Sequence, residues 1–111
     1  MFDRRYEIFL STTELISHIV RKSDVDVQTL FKFLADTNKS YFLLGKEIHA
    51  YLGELYDKGV DLDSKREQFQ DLPGGEERSR LIKEQVELVK WFSRQFEVAR
   101  EKFSKHLSLD Q

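Results

Sequence analysis

Arg100 and His106 are the two residues whose types and spacing come closest to a catalytic pair. Five residues separate them, near the end of a segment with helical periodicity. A histidine can act as a general base, and an arginine can hold a phosphate group through parallel N–H donors. Together these two side chains would suit chemistry at a phosphate group.

An arginine followed by four to six residues and a histidine resembles the ribonuclease motif of HEPN domains, which are also small helical bundles. The resemblance implies a ribonuclease in which Arg100 holds phosphate and His106 acts as the base. Because the pattern consists of two residues, it also arises frequently by chance in charged helices. A HEPN-like ribonuclease is therefore the alternative function, and the sequence favours a chain that is not an enzyme.

No other constellation points to a catalytic, metal or cofactor site. Metal sites in helical bundles typically use a glutamate three residues before a histidine, and none precedes His18, His49 or His106 at that spacing. The chain has no cysteine, which excludes thiolate ligands and disulfides. Residues 73–75, Pro-Gly-Gly, lack the spaced glycines and the lysine of a phosphate-binding loop. We expect no cofactor and no metal ion.

Two long segments with helical periodicity, residues 46–72 and 76–107, must position any functional side chain. Residues 73–75 end the first segment, because proline and paired glycines interrupt a helix. Steps of three and four between apolar residues place them on one helical face. The pattern predicts an antiparallel hairpin of two helices with the following inward residues: Ile48, Leu52, Leu55, Gly59, Leu62, Arg66 and Phe69 on the first, and Leu81, Gln85, Leu88, Phe92, Phe96, Ala99 and Phe103 on the second.

The preceding residues predict two further helices. Residues 3–22 repeat the helical spacing, and Asp26 is a good N-cap for a short helix over residues 27–36. In that short helix we expect Val27, Leu30, Phe31 and Leu34 to face inward, and Phe33 to point to a different side, so that the helix is covered on two flanks. The apolar run at residues 41–44 is too short for a helix of its own and should plug one end of the bundle. Residues 1–111 are thus predicted to form one all-α domain, an up-and-down bundle of about four helices.

Three inward positions of the hairpin carry unusual residues. Gly59 costs about 1 kcal/mol relative to alanine inside a helix. We expect the helix to continue through it, since the apolar pattern resumes at Leu62. Arg66 and Gln85 must reach solvent or partners, because an unpaired buried charge is costly. They would either extend to solvent at the open end of the bundle or form a polar pair that fixes the register of the two helices or of a dimer.

The charge balance restricts the classes of partner. The formal net charge is −2, with 18 basic and 20 acidic residues spread along the chain. A nucleic-acid surface normally needs a cationic stripe, so nucleic acid is a disfavoured partner. No apolar stretch approaches the roughly 20 residues of a membrane span, and charges at residues 3–7 interrupt any signal-peptide pattern. Membrane contact would instead involve the basic and aromatic N-terminal helix or a segment upstream of it.

The chain also resembles a family of small bacterial all-helical proteins that has no assigned function. The elements that carry the resemblance are Tyr6-Glu7-Ile8-Phe9, Leu30-Phe31-Lys32-Phe33, Phe42-Leu43-Leu44-Gly45-Lys46-Glu47-Ile48, Tyr51-Leu52, and Trp91-Phe92-Ser93-Arg94-Gln95-Phe96 with Phe103 and Leu107. Such sequences often follow an amino-terminal membrane segment. The resemblance therefore implies a cytoplasmic module, with the inner face of a membrane as the alternative location, and it supplies no catalytic residue.

The many aromatic residues and the apolar helical faces favour an interaction or assembly module. A protein partner or a second copy of the chain would cover a helical face. The distal half of the hairpin, around residues 61–82, has few apolar partners, and we expect the binding surface there. Leu62, Arg66 and Phe69 are its predicted members. Trp91, outside the distal half, is the fourth predicted interaction residue, because tryptophan and arginine are enriched at interface centres.

Overall fold

Two long helices form the antiparallel hairpin on which the rest of the chain packs. The computed structural model describes residues 3–107, which contain six helices and no strand: α1 (Arg4–Lys22), α2 (Val27–Asp36), α3 (Ser40–Leu44), α4 (Lys46–Gln70), α5 (Glu76–Ser93) and α6 (Gln95–Leu107). The bundle measures 52 × 25 × 22 Å. The predicted fold class, an all-α bundle built on a long helical hairpin, is confirmed.

Contacts between helices fix their directions. Late in α4, Lys65 Nζ lies 3.2 Å from Glu84 Oε1 of α5. Early in α4, Tyr51 bonds to Gln95 at the start of α6. Helix α4 is therefore antiparallel to the arm that α5 and α6 form. Phe9, early in α1, packs against Phe103 late in α6, and the carbonyl of Ser23, just after α1, accepts a hydrogen bond from Gln85 in α5. Helix α1 therefore runs antiparallel to the α5–α6 arm and parallel to α4. Helix α2 then runs back along α4 towards α3.

Local backbone chemistry sets the ends of the first two helices. Ser23 ends α1 in the left-handed conformation, with φ 55° and ψ 28°. The Thr29 backbone N–H donates to Asp26 Oδ1 at 2.8 Å, which confirms Asp26 as the N-cap of α2. The same hydrogen bond lowers the pKa of the Asp26 carboxyl group below its ordinary value. Ser23 and Asp26 bound the short turn after which α2 folds back.

Helix α4 is continuous through Gly59, as the sequence predicts. A Cβ atom at this position would lie 2.6 Å from Leu30 Cδ2, so the missing side chain is where α2 crosses α4. Leu30, Leu55 and Leu62 surround this crossing and are fully buried. The glycine therefore permits the closest approach of α2 to the hairpin.

The second arm of the hairpin is not one helix over residues 76–107. It is interrupted at Arg94, where α5 ends and α6 begins. Gln95 is buried beyond the interruption, and its Nε2 donates to the Trp91 carbonyl at 3.1 Å. The sequence prediction that Phe96 faces the core is wrong, because this phenylalanine is 39% exposed and Gln95 takes the inward position.

Two expectations about the middle of the chain are also wrong. Helix α2 buries Leu30 and Phe33, whereas Val27, Phe31 and Leu34 are exposed. The residues after the next turn form the short helix α3, of which Ser40 and Leu44 are buried. The expected apolar plug is therefore absent, since three consecutive side chains of α3 remain exposed: Tyr41, Phe42 and Leu43.

Candidate functional site

The structure does not bring Arg100 and His106 together as a pair. Both are exposed on α6, and six positions on a helix place two side chains about 120° apart around its axis. Within residues 3–107 neither side chain has a hydrogen bond or an ion pair. In the part of the chain that the structure describes, the two side chains therefore point in different directions from α6.

The other histidines have ordinary surroundings. His49 is joined to Ser40 by a hydrogen bond of 3.1 Å between Nδ1 and Oγ, and its ring packs edge-on against Tyr41. His18 lines an open groove of about 220 Å³ between α1 and α2, beside Glu14 and Lys32. In the described part of the chain, no three histidine or acidic residues form a group that could hold a metal ion.

The four residues predicted to form an interaction surface all have intramolecular partners. Leu62 is fully buried, which rules it out as a docking residue and corrects the prediction. The guanidinium of Arg78 lies 5.7 Å from the ring centre of Phe69. The ammonium of Lys58 lies 5.3 Å from the ring centre of Trp91, which is half-buried against Phe92.

Arg66 and Gln85 hold the turn between α1 and α2 against the hairpin. Arg66 forms ion pairs with Asp24, at 2.8 Å, and with Asp63. Gln85 Nε2 donates to the Ser23 carbonyl at 2.7 Å. The two side chains thus contact neighbouring residues, Ser23 and Asp24, of one turn. These contacts explain why α1 and α2 cover part of the distal half of the hairpin, where the sequence predicts a free surface.

A row of apolar side chains along α2 is exposed to solvent. Val27, Phe31 and Leu34 follow one another at steps of four and three, and more than half of the Phe31 side chain is exposed. Relative to the buried Leu30, they lie about 40–100° around the helix, all on one side. The row therefore borders the contact between α2 and α4.

Helix α4 contributes a matching row on the same side of that contact. His49, Gly53, Tyr56 and Val60 lie about 60–120° around the helix from Gly59. Helices α2 and α4 are antiparallel and face each other at Leu30 and Gly59. In such a pair, residues displaced by the same positive angle from the facing residue lie on the same side of both helices. Both rows therefore emerge together. Three of the four α4 residues are exposed, and Tyr56 is half-buried.

Helix α3 extends this surface at one end. The ring of Tyr41 packs edge-on against His49 at 5.6 Å and against Phe42 at 5.6 Å. Phe42 is 86% exposed, the highest value among the large apolar residues that the structure describes. We define the α2–α4 face as these three groups together: Val27, Phe31 and Leu34 of α2, His49, Gly53, Tyr56 and Val60 of α4, and Tyr41 and Phe42 of α3.

The α2–α4 face contains no acidic residue, lysine or arginine, although these types make up 34% of the chain. Lys46, Asp57 and Asp63 border the α4 row, and Asp63 is already paired with Arg66. Beside Gly53, Asp57 lines an open recess together with Glu54, Lys58 and Asp61. The charged residues of α2, Lys32 and Asp36, point towards the groove beside α1 and pair with each other at 2.7 Å. An uncharged centre with a charged border is typical of protein–protein interfaces.

Sequence reasoning missed the α2–α4 face because it assigned the α2 row to the core. One available signal was the composition of α2. Because apolar residues lie around most of its circumference, more than one side of this helix could be the buried side. Another was Gly53, a second glycine on α4 that a helix interior does not favour. A Cβ atom at Gly53 would have no atom within 4 Å, and the open recess there is lined by other residues of α4: Ala50, Glu54, Asp57, Lys58 and Asp61.

Comparison of the chain with protein-family profiles, curated protein sequences and solved structures found no match. A search of residues 3–107 found no helix with the length and apolar character needed to cross a membrane. The functional proposal therefore depends on the geometry of the α2–α4 face.

Proposed function

We propose that this chain is a non-enzymatic interaction module that binds a protein partner through the α2–α4 face. The observation that carries the proposal is the exposed apolar row of α2, which lies beside an uncharged row of α4. A row with steps of four and three normally faces a core, and here it faces solvent. Its side chains would gain about 25 cal/mol for each Å² of apolar surface that a partner covers.

The shape of the face favours a helical partner. The exposed rows of two antiparallel helices lie side by side, and Gly53 has no side chain that would rise above the α4 row. An amphipathic helix places residues i, i+3, i+4 and i+7 against such a surface. Phe31 and Phe42 would serve as anchors, because large aromatic side chains supply most of the energy at an interface centre. The setting that we propose for this interaction is the cytoplasm.

Photo-crosslinking in the cells that produce the protein tests this proposal directly. p-Benzoyl-phenylalanine replaces Phe31 in one variant and Phe96 in the other. Phe96 is the matched control, because it is an exposed phenylalanine on α6, which packs chiefly against α1 and α5. Both variants are irradiated at the same expression level, and adducts are identified by mass spectrometry.

The proposal requires discrete protein adducts from position 31 and at least a tenfold lower yield from position 96. Adducts to lipid alone, or equal yields at the two positions, would overturn it. Circular dichroism checks that both variants are folded. Because both replaced side chains are already exposed, the replacements should leave the helical signal unchanged.

A further inference from the structure

We infer that α2 is a lid that detaches from the hairpin as a unit while the other long helices stay folded, and that Arg66 and Gln85 form its latch. Helix α2 buries Leu30 and Phe33 among its ten residues, whereas α4 buries six residues and α1 buries five. Val25, in the turn before α2, adds one more buried apolar side chain. Segments with few buried side chains open at a lower free energy than the rest of a fold.

Helix α2 is open to solvent on both flanks. On the α1 side, a groove of about 220 Å³ lies between the two helices, and a second of about 150 Å³ lies between the start of α1 and residues 35–43. On the other side, the apolar row of α2 is exposed. The buried contact of α2 therefore consists of Leu30, which packs over Gly59, and of Phe33.

The latch consists of polar groups that hold the turn before α2. Arg66 donates to Asp24 at 2.8 Å, and Gln85 donates to the Ser23 carbonyl at 2.7 Å. The Arg66 and Asp24 side chains remain 22% and 35% exposed, and partly exposed ion pairs contribute little to stability. The buried Nε of Arg66 has no hydrogen-bond partner among residues 3–107, so closure leaves one donor unsatisfied. The latch can therefore open at a low cost.

The other end of α2 stays attached through α3. Ser40 Oγ and His49 Nδ1 lie 3.1 Å apart, and Leu44 is buried. Residues 23–26 and 37–39 are then the two hinges between which α2 moves outward. A ten-residue helix is marginal in water when it has no packing partner, so a detached α2 loses its backbone hydrogen bonds.

Opening separates the α2 row from the α4 row. The α2–α4 face would then exist in the closed form alone, and the latch would regulate binding at this face. This consequence rests on the proposed function, whereas the opening itself does not.

Native-state amide hydrogen exchange tests the inference, with mass spectrometry of peptides from α2 and from the hairpin. Conditions are chosen so that closing is faster than intrinsic exchange. In the wild type, α2 should be at least about tenfold less protected than the buried segments around Leu52 and Phe92. Its protection should also fall less steeply with urea, because opening exposes less surface than unfolding does.

Two kinds of variant distinguish a lid from global unfolding. Arg66→Met should lower the protection of α2 roughly fivefold, and that of the hairpin by the same factor, since the latch is lost in both the open and the unfolded form. Asp24→Asn should act in the same direction. Tyr51→Phe removes a hydrogen bond between α4 and α6 that stays intact when α2 opens. It should lower the protection of the hairpin at least about fivefold and leave that of α2 unchanged.

Equal protection of α2 and the hairpin in the wild type would overturn the inference, and so would a Tyr51→Phe variant in which both lose protection together. An α2 whose protection is unchanged by both Arg66→Met and Asp24→Asn would overturn the latch. The proposed function fails separately, if α2 exchanges as predicted and position 31 yields no protein adduct in cells.

Discussion

Leu30 of α2 packs directly over Gly59 of α4, with its Cδ2 atom 2.6 Å from the position that a Cβ atom would take. This contact marks the closest approach of α2 to the hairpin. Because Leu30 faces Gly59, the row of Val27, Phe31 and Leu34 is turned outward beside α4. The α2–α4 face thus follows from a glycine in the core.

The two glycines inside α4 should respond oppositely to alanine. Gly59→Ala should lower the free energy of unfolding by about 1 kcal/mol, because the new methyl group displaces Leu30 by more than helix propensity recovers. Gly53→Ala should raise it by about 0.5–1 kcal/mol, since no atom lies within 4 Å of the added carbon. Urea unfolding at low micromolar protein measures both. Equal effects of the two changes would contradict the close crossing at Gly59.

Tyr51 and Gln95 should behave as one unit. The Tyr51 hydroxyl donates to Gln95 Oε1 at 2.9 Å, and burial raises the pKa of Tyr51, which keeps the donor protonated. Tyr51→Phe should cost about 1–3 kcal/mol, because it leaves a buried oxygen without its donor. The double variant Tyr51→Phe/Gln95→Leu should cost less than the sum of the single changes. Additive costs in the double-mutant cycle would show that the pair is not coupled.

Arg66 should contribute through the turn that it holds. Arg66→Met keeps the aliphatic length but leaves Asp24 and Asp63 without their shared cation, so we expect a loss of about 1 kcal/mol. Arg100→Met is the matched control and should change stability by less than about 0.5 kcal/mol. Added salt should reduce the difference between wild type and Arg66→Met. Equal stability of the two variants would contradict the proposed role of Arg66.

Asp26 should make the stability of α2 depend on pH. Its pKa is lowered by the hydrogen bond from the Thr29 backbone N–H. A carboxyl group with a lowered folded pKa contributes stability that is present above its unfolded pKa, near 3.8, and is lost as the pH falls through the folded pKa. Asp26→Ala should cost about 1 kcal/mol at pH 7, whereas Asp26→Asn keeps the cap.

Thermal unfolding between about pH 2 and 7 separates these contributions. Asp26→Asn should lack the part of the acid-induced loss that wild type owes to this carboxylate. An unchanged difference between wild type and Asp26→Asn across that range would exclude Asp26 as a titrating cap.

The sequence predicts the hairpin well because α4 is long and its apolar positions repeat in one register. Ile48, Leu52, Leu55, Gly59 and Leu62 are all buried, as their spacing indicates. Such a stripe has one possible inward side. Helix α2 is different, because its ten residues carry apolar side chains in several directions. Which side is buried depends on the recess at Gly59 and on the position of α1, and neither is encoded within α2 itself.

Gln95 shows a second limit of the same reasoning. The buried positions of the second arm are Leu88, Phe92, Gln95, Ala99 and Phe103, which keep steps of three and four. Hydrophobicity instead favours Phe96 as the inward residue. Spacing alone would have selected Gln95, whose polar groups are satisfied by Tyr51 and the Trp91 carbonyl. The partner of a buried amide lies 44 residues away in the chain and becomes visible only in the fold.

The yield of protein adducts at position 31, measured with and without Gly53→Arg, tests the central claim most directly. The arginine adds a charge and bulk to the α2–α4 face at a site with open space, so the fold should remain intact. We predict that Gly53→Arg lowers the adduct yield by at least tenfold, while Gly53→Ala leaves most of it. An undiminished yield in the Gly53→Arg variant would contradict the assignment of this face as the binding surface.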